Sequence, residues 1–240
     1  MDTLAIRDAG TQSSMLLSLP RQLEGFPIRI LEGTVLPAVS SVCMQNPGLW
    51  VFALPLHVYL SGRIPLERYQ AIASPYIASG LGVTNPSETM MAFLKHVLFI
   101  QERFPAPFYA EHASVLFFNA LDKQSVALQC AALQTLSDKR VFENIPQSFF
   151  LDKIVPKACR EACKNAEPTV KVSALYFLSF AVTRLDKDYL AKNLVPSLKY
   201  ITEHDTNAAV TMCVIGTFQA MTGKITVCRC VVGICNPELI

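Results

Sequence analysis

Two cysteines one helical turn apart, Cys159 and Cys163 in "KACREAC", are the first groups able to do chemistry. Thiols at i,i+4 share a helix face and could bind a soft metal or cycle between redox states. They alternate with Ala158 and Ala162 in a stripe that continues Ile154 and Val155, so buried cysteine acting as a small hydrophobe is expected. The later set Cys228, Cys230 and Cys235, spaced C-x-C-x4-C, has no fourth ligand nearby and reads as an exposed, oxidisable end. His57, His96, His112 and His204 stand singly in apolar helical stretches, none with an i,i+4 partner, and are expected to be partly buried structural groups. Gly80 and Gly82 in "ASGLGVTN" follow no strand and read as a turn between helices, not a phosphate cradle. No Gly-rich kinase loop, His-Arg-Asp loop, Asp-Phe-Gly, P-loop or G-x-S-x-G elbow is present. The expectation is a chain that is not an enzyme, with no catalytic residue, metal or cofactor.

One charged pattern stands out. Lys153, Lys157, Arg160 and Lys164 recur at +4, +3 and +4, a spacing that sets all four on one face of a helix. Such a stripe is either an ordinary solvated face or a docking strip for an acidic peptide or an anionic membrane surface.

The elements that must carry these groups are set by composition and period. The 240 residues are 51% hydrophobic and 17% charged, which excludes disorder as the main state. A net charge of +2 gives no bulk field for nucleic acid. The opening "MDTLAIRDAGTQSS" lacks the basic and apolar regions of a secretory signal, and no apolar run reaches the length of a membrane span. Eight cysteines without an export signal imply reduced thiols in the cytoplasm.

Short apolar-proline boxes recur at Pro37, Pro75, Pro156 and Pro196, steps of 38, 81 and 40 residues; the double step has its midpoint near Val115 in "HASVLFFNAL". A second landmark follows each box: Pro47, Pro86, Gln124, Pro168 and Thr206 each open a stretch that begins polar and becomes an apolar stripe. Two of these stripes are Val126, Leu128, Ala131, Leu133, Leu136 and Val170, Val172, Leu175, Leu178, Val182. Each unit therefore reads as two helices, with Asp152 or Asn193 capping the first and the proline in its first turn. Two-helix units of about 40 residues define an all-α, HEAT/armadillo-type α-solenoid, here of about five repeats. The expected division is a linker-like segment over 1–18, the solenoid over 19–222 and an irregular tail over 223–240.

The run "LPRQLEGFPIRILEGTVLPAV" (Leu19 to Val39) resembles the segment that follows the kinase-like domain in the SCY-like pseudokinase family, through Leu19-Pro20, Glu24, Phe26-Pro27 and Leu36-Pro37. "FLDKIVPKACREACKNAEPTVKVSALYFLSFAVTRLDKDYLAKNLVPSLK" is similar to two later repeats of that family, including Leu185-Asp186-Lys187 between helices. The branch associated with clathrin-coated vesicles is the nearest in pattern, over roughly residues 10 to 222. The resemblance implies a scaffold in vesicle traffic, cytoplasmic and peripheral on Golgi, endosomal or coated vesicles. The implied partners are clathrin-coat or adaptor subunits; the stripe Lys153, Lys157, Arg160 and Lys164, read from its spacing and not from the resemblance, is the candidate contact. The kinase-like domain of that family has no counterpart here, so the chain reads as a fragment, a split gene product or an altered frame. A regulatory piece of a kinase whose catalytic domain is encoded upstream is the alternative.

Overall fold

The computed structural model describes residues 8–222, and all regular structure within them is helical. It divides into two compact units, one ending at Pro146 and one beginning at Gln147. The fold is an all-α solenoid of two-helix repeats, three in the first unit and two in the second. Each repeat consists of an A helix, a short turn and a B helix. Ahead of the first repeat lies an additional helix, Ala9–Gln22, capped by Asp8, whose carboxylate accepts from the Thr11 N–H at 2.7 Å. That helix runs across residue 19, where the linker was expected to give way to the solenoid. The tail, with Cys228, Cys230 and Cys235, lies outside the described residues.

The A helices begin at Ile28, Leu66, Ala106, Gln147 and Lys187, steps of 38, 40, 41 and 40 residues. Their fourth, eighth and twelfth residues form a ladder: Leu31, Val35, Val39; Tyr69, Ala73, Ile77; Tyr109, Ala113, Phe117; Phe150, Ile154, Ala158; Leu190, Leu194, Leu198. None of these fifteen side chains is more than 1% exposed. Strict four-residue spacing drifts on a helix of 3.6 residues per turn, and a wider turn cancels the drift.

Three of the five A helices contain such a turn. Leu31–Val35, Phe150–Ile154 and Leu190–Leu194 are π turns, closed by i+5 bonds from the N–H of Leu36, Val155 and Val195 to the carbonyls of Leu31, Phe150 and Leu190. In each case the next residue is the proline of the box: Pro37, Pro156 or Pro196. A proline inside a helix presses its ring on the carbonyl four residues back, and the wider turn relieves that contact. The boxes therefore lie mid-helix, at the tenth residue, and not in a first turn as expected. Asp152 and Asn193 cap nothing; Asp186 caps the fifth A helix, accepting from the Tyr189 N–H at 2.7 Å.

The second and third A helices, Leu66–Leu81 and Ala106–Asp122, stay α throughout, although the second carries Pro75. They differ at the ninth residue. The π-type helices have Leu36, Val155 and Val195 there, whereas the α-type ones have Ser74 and Ser114. The serine hydroxyls donate to the carbonyls of Gln70 and Ala110, both at 2.6 Å, which ties that turn at its ordinary width.

What starts the A helices is a second row of prolines that the boxes obscured. Pro27, Pro65 and Pro105 directly precede the first helical residue, as does Pro146, and Asp186 takes the place in the fifth repeat. The apolar residue before each, Ile64, Phe104, Ile145 and Leu185, is buried, while Phe26 is exposed. Side chains reach the carbonyl at a B-helix end, tying an A helix to the B helix of its own repeat (Gln70, Gln147) or one repeat to the next (Gln101). Gln70 Nε2 donates to Arg103 O at 2.6 Å, Gln101 Nε2 to Arg140 O at 3.0 Å and Gln147 Nε2 to Arg184 O at 3.3 Å.

The B-helix stripes pack largely as expected: Leu128, Leu133, Leu136, Val170, Leu175, Leu178 and Val182 are buried. Val126 is exposed and Ala131 and Val172 are half-buried, since each lies at a stripe edge. Gly80 corrects the expected turn. It is a buried residue within the helix Leu66–Leu81, and only Gly82 closes it. A methyl group on Gly80 would run into the Phe93 ring, so glycine is what lets Phe93 and Trp50 close over this helix.

Candidate functional site

The first unit holds a polar cluster in its core. His57 on the first B helix lies between Ser40 of the first A helix and Tyr69 of the second, and all three are fully buried. Ser40 Oγ donates to Leu36 O at 2.8 Å, so its remaining role is acceptor, from His57 Nε2 at 3.4 Å. That leaves Nδ1 unprotonated to accept from the Tyr69 hydroxyl at 3.0 Å. Burial pushes the imidazole pKa down to about 3 and raises the Tyr69 phenol, so both stay neutral. The triad-like trio is sealed from any substrate; it pins three helices together. The other histidines vary: His96 and His112 are half-buried, but His204 is exposed and stacks on Tyr200 at 4.2 Å between ring centroids.

The second unit carries the accessible site. A groove of about 410 Å³ runs between its two A helices, lined by Pro156, Cys159, Arg160, Cys163, Lys164, Tyr189, Asn193 and Ser197. Cys159 and Cys163 are half-buried, not fully buried as expected, because they form the groove floor while Ala158 and Ala162 take the core positions. The Cys163 thiol donates to Ser197 O at 3.6 Å. Burial pushes the Cys159 thiol up to about 12 and raises Cys163 as well, so neither is a ready nucleophile. On the far wall the Tyr189 hydroxyl donates to Leu151 O at 3.2 Å and Ser197 Oγ to Asn193 O at 2.9 Å.

The basic stripe does not survive as one face. Lys153 is exposed on the π turn, and Arg160 and Lys164 are exposed on the groove rim. The Lys157 side chain is only 7% exposed, with its ammonium 3.7 Å from Glu161, which is itself 11% exposed. The i,i+4 partner is the physical reason: Glu161 holds Lys157 to the buried flank of the helix. Glu161 also accepts from Asn165 Nδ2 at 2.7 Å and lies 3.8 Å from Arg160 Nε. Three of the four expected residues thus reach solvent, two of them on one groove. What the sequence reading missed were its neutral walls, Tyr189, Asn193 and Ser197; their signal is the 40-residue offset that sets the fifth A helix beside the fourth.

Among the described residues no group of three or more His, Cys, Asp or Glu could hold a metal ion. With no strand among them either, they contain nothing like the β-sheet on which a kinase mounts its Gly-rich loop and lysine. No described helix is long and apolar enough to cross a membrane.

This geometry can be set beside known proteins. No family model matches the chain. The chain is similar to SCY1-like protein 2. The human and mouse proteins of that name are each 22% identical to it over 219 residues, 91% of this chain. The match covers 23% of each relative, so the chain spans less than a quarter of their length. The similarity reaches the level of SCY1-like proteins and falls on helical repeats, not on a kinase fold.

Proposed function

We propose that this chain is a non-catalytic helical-repeat scaffold that binds proteins in clathrin- and adaptor-dependent vesicle traffic. It works in the cytoplasm, peripherally on Golgi, endosomal or coated-vesicle membranes. The observation that carries the scaffold reading is the accessible groove between the A helices of the second unit, with Arg160 and Lys164 on its rim. The groove has the size of a recognition site, and no raised or lowered pKa in it yields a general base or nucleophile at neutral pH. Support for vesicle traffic comes from the resemblance around Leu19 to Val39 and from the similarity to SCY1-like protein 2. Lys153, Arg160 and Lys164 are the docking residues under this reading; Lys157 serves the core.

The test is capture from cytosolic extract by the immobilised chain, beside an Arg160→Glu/Lys164→Glu variant, read by mass spectrometry. Coat or adaptor subunits captured by the parent chain and lost with the variant support the scaffold and its contact. Absence of coat and adaptor subunits from both baits refutes the traffic assignment.

A further inference from the structure

We infer that the groove of the second unit receives an extended acidic segment of a partner protein, about four residues long, with its carboxylates on Arg160 and Lys164. This deepens the scaffold reading and rests on it.

Charge is the first argument. The charged side chains that line the groove are Arg160 and Lys164, both cationic, and no carboxylate lines it. The repeat supplies its own control. Arg160 and Lys164 are the fourteenth and eighteenth residues of their A helix. The corresponding pairs elsewhere are Ser41 and Gln45, Ser79 and Val83, Asn119 and Lys123, and Tyr200 and His204. Stacking an A helix therefore needs no cation at either place, and a pair of permanent cations occurs in this repeat alone.

Size and shape give the second argument. From Pro156 to Lys164 the helix rises about 12 Å, which matches three to four residues of extended chain. A helical ligand 10–12 Å across and equally long would need on the order of 1,000 Å³, against the 410 Å³ present. The lining suits an extended backbone, since Asn193 and Ser197 on the wall present polar atoms while Pro156 and Cys159 present apolar surface. The thiol of Cys163, on the floor, would lie under the bound segment.

The experiment uses the full chain and a bead library of nonapeptides with Glu at alternate positions and all other positions randomised, next to a matched Gln library. Binding is read by fluorescence, and occupancy by the rate at which N-ethylmaleimide labels Cys163, with Cys213 as the reference thiol. The expected result is selective capture on Glu beads, labelling of Cys163 slowed severalfold by the selected peptides, and affinity about tenfold weaker in Arg160→Glu/Lys164→Glu. Circular dichroism confirms that the variant folds. No selection from the Glu library overturns the proposal, as does selection without protection of Cys163. Binding of phosphatidylserine vesicles that depends on Arg160 and Lys164, with no peptide selected, overturns it in favour of a membrane contact. If coat subunits are still captured from extract while the library yields nothing, the groove assignment fails and the scaffold reading stands.

Discussion

Gly80 offers the sharpest test of how the first unit is packed. It lies within the helix Leu66–Leu81, and a Cβ built on it meets Phe93 Cζ, comes within 2.9 Å of Phe93 Cε2 and within 3.0 Å of Trp50 Cε2. Neither ring has room to retreat. Phe93 and Trp50 are fully buried with centroids 5.2 Å apart, and Trp50 in turn stands 5.4 Å from the His57 ring. Replacing Gly80 by Ala gains at most about 1 kcal/mol of helix propensity. Overpacking of a well-filled core costs about 1–3 kcal/mol. The expected net effect is a loss of up to about 2 kcal/mol, or a melting temperature lower by up to about 6 °C. The protein has a single tryptophan, Trp50, so its fluorescence in a urea titration reports on this unit and on the site of the perturbation. Gly62, also helical but with nothing within 4 Å of its Cβ position, is the control; Gly62→Ala should be neutral or stabilising. Adding Phe93→Leu to Gly80→Ala should recover part of the loss beyond additivity. A Gly80→Ala protein as stable as Gly62→Ala, or a strictly additive double variant, would refute the reasoning.

The same Trp50 signal tests the core imidazole. His57 has its pKa depressed to about 3 from an unfolded value of 6.5, so the unfolded chain binds the extra proton and stability falls as pH drops below 6.5. The slope is about 1.4 kcal/mol per pH unit, and urea midpoints at pH 7 and pH 5 should show His57→Gln with a shallower dependence than the parent. In the second unit, Glu161→Gln removes the carboxylate 3.7 Å from the Lys157 ammonium and should cost up to about 3 kcal/mol. Pairing it with Lys157→Met should restore most of that, as read by hydrogen exchange over residues 147–222. Asp205 accepts from Lys171 Nζ at 2.6 Å, and this hydrogen bond lowers its pKa. Its contribution is present above the usual carboxylate range and lost as pH falls through it, so Asp205→Asn should flatten the acid limb of the second unit's stability. Val155→Ser should return the fourth A helix to a plain α turn, and a crystal structure that keeps the bond from residue 155 N–H to Phe150 O would contradict the role given to the ninth residue.

The period of the fold was legible because prolines mark it: Pro37, Pro75, Pro156 and Pro196 recur at a multiple of the repeat whatever their place within the helix. Their place was not legible. A proline after two apolar residues looks the same at the start of a helix as after a π turn, and the i+5 bond that distinguishes them depends on packing at Phe150 and Ile154. The true starts were written in Pro27, Pro65, Pro105 and Pro146, a row equally regular but set among less apolar neighbours. Gly80 was misread since glycine next to Ser79 and Gly82 signals a turn locally, while its contact is with Phe93, thirteen residues away. Of the candidate site, Arg160 and Lys164 could be read from spacing. Lys157 could not be separated from them, since spacing fixes angle around the axis and not the pull of Glu161.

The groove follows from the repeat and from two departures within it. In register, the wall residues Tyr189 and Asn193 correspond to Phe149 and Lys153 one repeat earlier, and Ser197 corresponds to Lys157. The fifth A helix thus faces the fourth with its own π turn, Leu190–Leu194, set against the α segment Val155–Lys164. A wide turn beside a regular one leaves a gap unless large side chains fill it, and the side chains on the floor are two cysteines, with a serine on the wall beside them. The third A helix, α throughout, has Phe108, His112 and Leu116 where the fifth has Tyr189, Asn193 and Ser197, and Leu116 is fully buried. Small floor residues open the space and the fourteenth and eighteenth positions charge its rim. If the space matters more than the charge, filling it with Cys163→Leu should leave the fold intact and block acidic peptides as fully as reversing Arg160 and Lys164. If the cations alone suffice, the filled variant should still bind, and the groove would then be incidental to a charged helix face.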